Sequence, residues 1–234
     1  MKNFDSVSPL KLLEQSSEQK SLGEGNIGVL IAKAGVGKTA CLIHIALHKM
    51  FKGEPMVHVS VGDTPEKVNA YYHVIFSDLA KAIEEYDIED CLLKMDRNKV
   101  VLSYMDDNFE LARLNRNLKN LKESLSFCPK FVIIDGIDFT LARRELFIEI
   151  KKLAEQFNVE IWLSALTHRN ISTEVNNNGI PYPCDKVDDL FNIIMYMNPE
   201  KDGLFLSLLK DQRGYITESI KVKLDPATFL LAQE

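Results

Sequence analysis

Apolar residues along the chain fall into two textures. Short, nearly continuous runs at 28–32, 56–61, 99–104, 129–134 and 159–166 read as strands buried on both faces. Between them lie longer stretches whose apolar residues recur every three or four positions, the mark of a helix with one buried side. These are 40–50, 66–86, a helix opened by Asn108, and about 143–157. The helix opened by Asn108 carries Leu111, Leu114, Leu118, Leu121 and Leu125 along one stripe. Turn chemistry punctuates the pattern at Gly53-Glu54-Pro55 and at Gly62-Asp63-Thr64-Pro65.

Past residue 186 the texture changes. Residues 190–197, 203–210 and 220–224 read as consecutive strands, with turns at 198–203 and near Gly214. Alternating strands and helices that end in a strand-rich tail predict one α/β domain spanning 1–234. Its central sheet is mostly parallel, flanked by helices, with an antiparallel C-terminal extension over 190–234. Ahead of the first strand, Ser8 and Pro9 read as N-cap and first helical residue of a leading helix, with Leu10, Leu12 and Leu13 on its apolar side. This arm, residues 1–22, packs either on the domain or on a neighbouring subunit. The polar segment 170–186, with Asn176-Asn177-Asn178-Gly179 and two prolines, is long enough to be a flexible or binding loop.

Composition narrows the function classes. A length of 234 residues supports one sizeable core, and 46% hydrophobic with 26% charged residues is ordinary for a globular chain. The net charge of −6 argues against a generally basic nucleic-acid binder. Cys41, Cys91, Cys128 and Cys184 are scattered, so neither a disulfide framework nor a zinc site follows, and a reducing cytoplasm is the expected home. No apolar signal segment opens the chain and no run reaches membrane-spanning length, so no membrane role is expected.

The chemistry concentrates in residues 32–39, Ala-Lys-Ala-Gly-Val-Gly-Lys-Thr, placed between the first strand and the first long helix. The stretch fits G-x-x-x-x-G-K-[ST] except for Ala32 at the first position. Glycines let successive backbone N–H groups turn inward around phosphate oxygens, and the helix adds its free N-terminal donors and dipole. The expected phosphate cradle is Ala34, Gly35, Val36, Gly37, Lys38, Thr39 and Ala40. Lys38 supplies charge to the β- and γ-phosphates and Thr39 a hydroxyl to Mg²⁺. Asp135, directly after an apolar strand, is the natural second partner of the metal. Asp138 reads better as a turn residue.

The arrangement resembles the RecA-like ATPases, within them the group containing KaiC, RadA and the DnaB-type helicases. The resemblance runs from about residue 20 to 225. It rests on the loop 32–39, the strand end 59–65, the Asp135 strand, the strand end at Thr167-His168, and Lys210-Asp211-Gln212-Arg213-Gly214. It implies Mg-ATP as ligand and a homo-oligomer, a hexamer being one form, with the nucleotide near a subunit interface. It also implies a carboxylate beyond the second strand that orients the attacking water. Gly62 and Asp63 stand there, and only Asp63 has the chemistry, on a shorter arm. His168 falls where the family places a γ-phosphate sensor. Lys210 and Arg213 fall where it places a Lys-x-Arg pair reaching the neighbouring subunit's ATP. Here they are three apart, and on a strand that spacing turns side chains to opposite faces, so Arg213 is the favoured finger.

Two functions follow. One is an oligomeric ATPase of low turnover using Lys38, Asp63, Asp135, His168 and Arg213. The other is an ATP-responsive binding module without turnover, in which ATP orders the 170–186 loop or the N-terminal arm for a protein partner. DNA translocation finds little support without a basic run or aromatic-basic interleaving. A small-molecule kinase fits the strand-rich tail less well.

Overall fold

The computed structural model describes residues 4–16, 21–82, 87–105, 109–167 and 175–232. The chain opens with two short helices, α1 (Phe4–Val7) and α2 (Lys11–Ser16), then β1 (Ile27–Lys33) and α3 (Lys38–Phe51). It continues through β2 (Met56–Val61), α4 (Pro65–Ala82), α5 (Ile88–Arg97), β3 (Lys99–Tyr104), α6 (Leu111–Ser124) and β4 (Phe131–Asp135). The remainder is α7 (Arg144–Phe157), β5 (Glu160–Thr167), a 3₁₀ turn (Asp188–Leu190), and β6 (Ile193–Glu200), β7 (Gly203–Asp211) and β8 (Gly214–Leu224).

Among the described residues the strands form one sheet in the order β3-β2-β4-β5-β1-β6-β7-β8. From β3 to β6 every pairing is parallel, and β7 and β8 add on antiparallel. The fold is therefore α/β, with helices on both faces of a mostly parallel sheet and an antiparallel C-terminal part.

The two faces follow from the period-two alternation of strand side chains. In β1, Leu30 and Ala32 face one core, while Ile27, Val29 and Ile31 face the other. The first core takes the buried sides of α1 to α5, including Leu13, Leu42, Tyr72 and Met95. The second takes α6, α7 and residues Ile180 to Phe191. Ala32 sits fully buried inside β1, paired with Leu166 and Met197, so the position asks for a strand residue and not for a loop glycine.

Three elements differ from the sequence reading. The leading segment is two short helices, because Ser8 is buried and its Oγ accepts from Leu10 N, holding the chain in a turn through Pro9. The helix expected over 66–86 is observed as α4 from Pro65 to Ala82, its expected end at 83–86 lies outside the described residues, and the difference is an additional helix, α5, with Asp87 as N-cap. β8 begins at Gly214, six residues ahead of the expected Ile220: Gly214 and Tyr215 pair with Asp211 and Lys210 of β7, and a register shift then brings Ile220 opposite Leu208. The helix start expected at Asn108 lies outside the described residues, and α6 is observed from Leu111.

The N-terminal arm packs on its own chain. Phe4, Val7, Leu12 and Leu13 are buried against α3 and the β7–β8 hairpin. Of the 170–186 segment, the described part is fastened by Asn176, whose Oδ1 accepts from Asn178 N and Ile180 N and whose Nδ2 donates to Asp185 O.

Candidate functional site

Parallel strands deliver their carboxyl ends to one edge, and the chain places β1, β2, β4 and β5 side by side there. After β1, Ala34 and Gly35 turn outward and are exposed, with Val36 N donating to Lys33 O at 3.4 Å. Gly35 and Gly37 both take positive φ, 74° and 104°. Gly37 is the N-cap of α3 and offers no side-chain cap, and the first helical bond is Cys41 N to Gly37 O at 3.0 Å. The N–H groups of Lys38, Thr39 and Ala40 thus remain as donors at the positive end of a 14-residue helix.

Thr39 Oγ1 donates to Asp135 Oδ2 at 2.6 Å, joining the start of α3 to the end of β4 across the intervening β5. Ser164, on β5 between them, donates its hydroxyl to the other oxygen, Asp135 Oδ1. The N–H of Gly136 points at the same Ser164 Oγ, at 3.4 Å. Lys38, Thr39, Asp135, Asp138 and Ser164 line one cavity of about 270 Å³, walled on its apolar side by Ile137, Phe139 and Leu166. Burial pushes the Lys38 ammonium below its ordinary pKa, and the Asp135 carboxylate pulls it partly back. Lys38 is thus half-buried beside the one carboxylate that Thr39 and Ser164 hold in place.

The turn after β4 is shaped by Gly136, with φ of 100°. A Cβ there would lie 2.2 Å from the Val61 carbonyl oxygen, so β2 and β4 approach one another closely at this edge. Asp138 follows in a turn, accepting from Thr140 N at 2.8 Å and Thr140 Oγ1 at 2.6 Å, and still lines the cavity.

Comparison with models of known families and with curated proteins gives no match to this chain.

The remaining sequence-derived residues scatter. Asp63 lies at the end of β2 but outside the cavity lining. Its carboxylate pairs with Lys67 at 2.5 Å, and its carbonyl accepts from Ser103. His168, like Asp106 and Asp107, lies outside the described residues. Thr167, which precedes His168, is buried with its hydroxyl unpartnered among the described residues.

Arg213 lies at the opposite edge of the sheet. β7 runs antiparallel to β6, so it starts at Gly203 beside Glu200 and brings Lys210 level with Ile194, which pairs with Val29 near the start of β1. The turn at 212–213 is therefore roughly 20 Å from the 34–37 loop at about 3.3 Å per strand residue. It cannot act on a ligand in its own chain's loop. Arg213 is 64% exposed, and its guanidinium bonds Asp211 and the Ser16 hydroxyl and carbonyl. Burial raises the Asp211 carboxyl, but the Ser16 hydroxyl and Arg213 outweigh it and leave the group below the usual range. Lys210 points to the other face, donating to Asp188 O at 2.8 Å and lying over the Tyr215 ring. The two cations do point apart, but Arg213 sits in the turn after β7 rather than on the strand, so the strand spacing is not the cause.

Ser164 escaped the sequence reading. Its signal is a hydroxyl inside an otherwise apolar strand, where a buried polar group requires a partner. That partner, Asp135, is 29 residues away and becomes visible only once β4 and β5 are paired.

Proposed function

We propose that the chain is an Mg-ATP-binding ATPase of the RecA-like kind, with slow turnover and a nucleotide shared across an interface between copies. The observation that carries this reading is the 2.6 Å contact between Thr39 and Asp135 beside half-buried Lys38, at the free end of α3. A hydroxyl, a carboxylate and a lysine converging below a glycine loop with open N–H groups form a hard-oxygen, anion-accepting set. Among the described residues no cluster of three or more His, Cys, Asp or Glu could hold a metal by itself. Mg²⁺ keeps several waters and takes few protein ligands when phosphate oxygens complete its shell. Thr39 and Asp135 would hold the ion, which supplies charge neutralisation at the terminal phosphates.

In this reading the loop N–H groups bind phosphate oxygens, Lys38 brings its charge to the same oxygens, and Ser164 orients Asp135. Arg213 serves only a neighbouring copy, because its own loop is at the far edge. Calorimetric titration with Mg-ATP tests the site. Lys38→Ala is expected to weaken binding roughly tenfold or more, the worth of a charge-assisted contact, with an unchanged circular dichroism spectrum. Unchanged affinity in the folded variant would refute the assignment.

A second reading, ATP binding without turnover, is favoured by one observation. The Asp63 carboxylate is paired with Lys67 and does not line the cavity. Single-turnover hydrolysis with excess protein separates the two. Complete hydrolysis that is lost in Asp63→Asn supports the ATPase; tight binding with no product supports the binding module.

A further inference from the structure

The sheet order brings a second element to the 34–37 loop. β8 runs antiparallel to β7, so its end, Leu224, lies beside Leu204 at the same edge as that loop. The chain then doubles back. Asp225 organises the turn: its Oδ1 accepts from Ala227 N at 2.8 Å and Thr228 N at 2.9 Å, and its carbonyl accepts from Phe229 N at 2.7 Å. Leu231 N donates to Val7 O and Ala232 N to Lys223 O, pinning the far side. From α3, the buried His44 ring lies against the Thr228 backbone, which favours its charged form.

This strap holds Phe229 at φ 56°, a left-handed conformation that a bulky aromatic residue rarely adopts. Its neighbour Leu230 is buried and anchors the strap to the core. The Phe229 ring is only partly buried and lies directly on the glycine loop. A Cβ on Gly37 would come within 2.1 Å of ring Cε1 and 2.3 Å of Cζ. The cavity at Lys38, Thr39 and Asp135 is on another flank of the loop, and the ring is not part of its lining.

The polar groups of that cavity read oxygen anions and metal charge, features that a nucleotide shares with a bare polyphosphate. We propose that Phe229 supplies the distinction, as the aromatic surface on which a ligand's base stacks while its phosphates occupy the loop. The proposal rests on the nucleotide-binding reading of the loop and adds the residue that contacts the base, with weak preference among bases, because every base has a π-face. The fixed turn presents the ring already ordered, which lowers the cost of binding.

The test uses the full chain, titrated by calorimetry with Mg-ATP, Mg-GTP and tripolyphosphate. Phe229→Leu keeps an apolar side chain of similar bulk without a π-face, Phe229→Tyr restores the face, and thermal melts verify folding. Phe229→Leu is expected to weaken both nucleotides roughly tenfold, leave tripolyphosphate unchanged, and be rescued by Phe229→Tyr. Equal loss for all three ligands, unchanged nucleotide affinity, or tighter binding in Phe229→Leu would each overturn the stacking role while leaving the loop assignment standing. Failure of the wild type to bind any of the three would overturn the loop assignment and this proposal with it.

Discussion

At the residue scale, backbone geometry makes the sharpest demands. Gly136 combines φ of 100° with a carbonyl oxygen where its Cβ would be. Gly136→Ala is expected to cost about 2 kcal/mol or more, read as a lowered urea midpoint with unchanged slope. Two buried histidines set a pH dependence. Burial depresses His44 to about 4, against the Thr228 backbone and the Asp78 charge. Burial likewise depresses His58 to about 4, with the Asp135 and Asp63 carboxylates opposing and Lys99 assisting. His58 also shares a hydrogen bond with the buried Tyr72 hydroxyl, at 3.0 Å. Both histidines fold neutral. The unfolded chain therefore binds protons that the folded chain refuses, and stability present above the ordinary value of 6.5 is lost as pH falls toward about 4. Urea midpoints at about pH 7.5 and 5.0 should fall on acidification, and the His44→Asn/His58→Gln pair should flatten that fall. An unchanged wild-type midpoint would show that neither ring is held neutral.

At the element scale, the N-terminal arm belongs to the domain. Leu12 and Leu13 are buried in the same core as α3, and Ser16 ties the arm to Asp211 and Arg213. Leu13→Ala should cost about 2–5 kcal/mol, the usual range for a core leucine truncation, measured by equilibrium unfolding. A change below about 0.5 kcal/mol, the size of a surface substitution, would place the arm elsewhere in solution. Elements with long apolar runs were legible from the sequence: β1 to β5, α3, α6 and α7 fall within a few residues of their expected positions. α5 was not, although Ile88, Cys91, Leu92 and Met95 follow helical spacing behind an Asp87 cap. Its acidic start blends into the preceding segment, and the Asp87 cap and packing against α3 set it apart. β8 was shortened because Thr217, Glu218 and Ser219 interrupt the apolar pattern ahead of Ile220, and the pairing of Gly214 and Tyr215 with β7 has no local signal.

At the scale of the whole molecule, the antiparallel extension carries two segments of one chain to opposite edges of the sheet. It sends the Lys210–Arg213 turn to the far edge and returns the 225–230 strap to the glycine loop. Arg213 can therefore serve a nucleotide only between copies. Sizing by light scattering with and without a non-hydrolysable ATP analogue should show ATP-dependent growth in mass. Arg213→Ala should slow single-turnover hydrolysis without changing ATP affinity; a monomer under both conditions removes the trans role. Among the described residues no helix is long and apolar enough to cross a membrane. The sequence by itself determined the parallel α/β pattern and singled out Gly35, Gly37, Lys38, Thr39 and Asp135, because strand runs, helical stripes and a glycine-lysine-threonine loop are local signals. Tertiary structure alone decided that Ser164 holds Asp135, that Arg213 faces away, and that Phe229 rests on Gly37. Each of these depends on which strands become neighbours and in which direction they run, and residues 29 to 192 positions apart carry no local trace of that pairing.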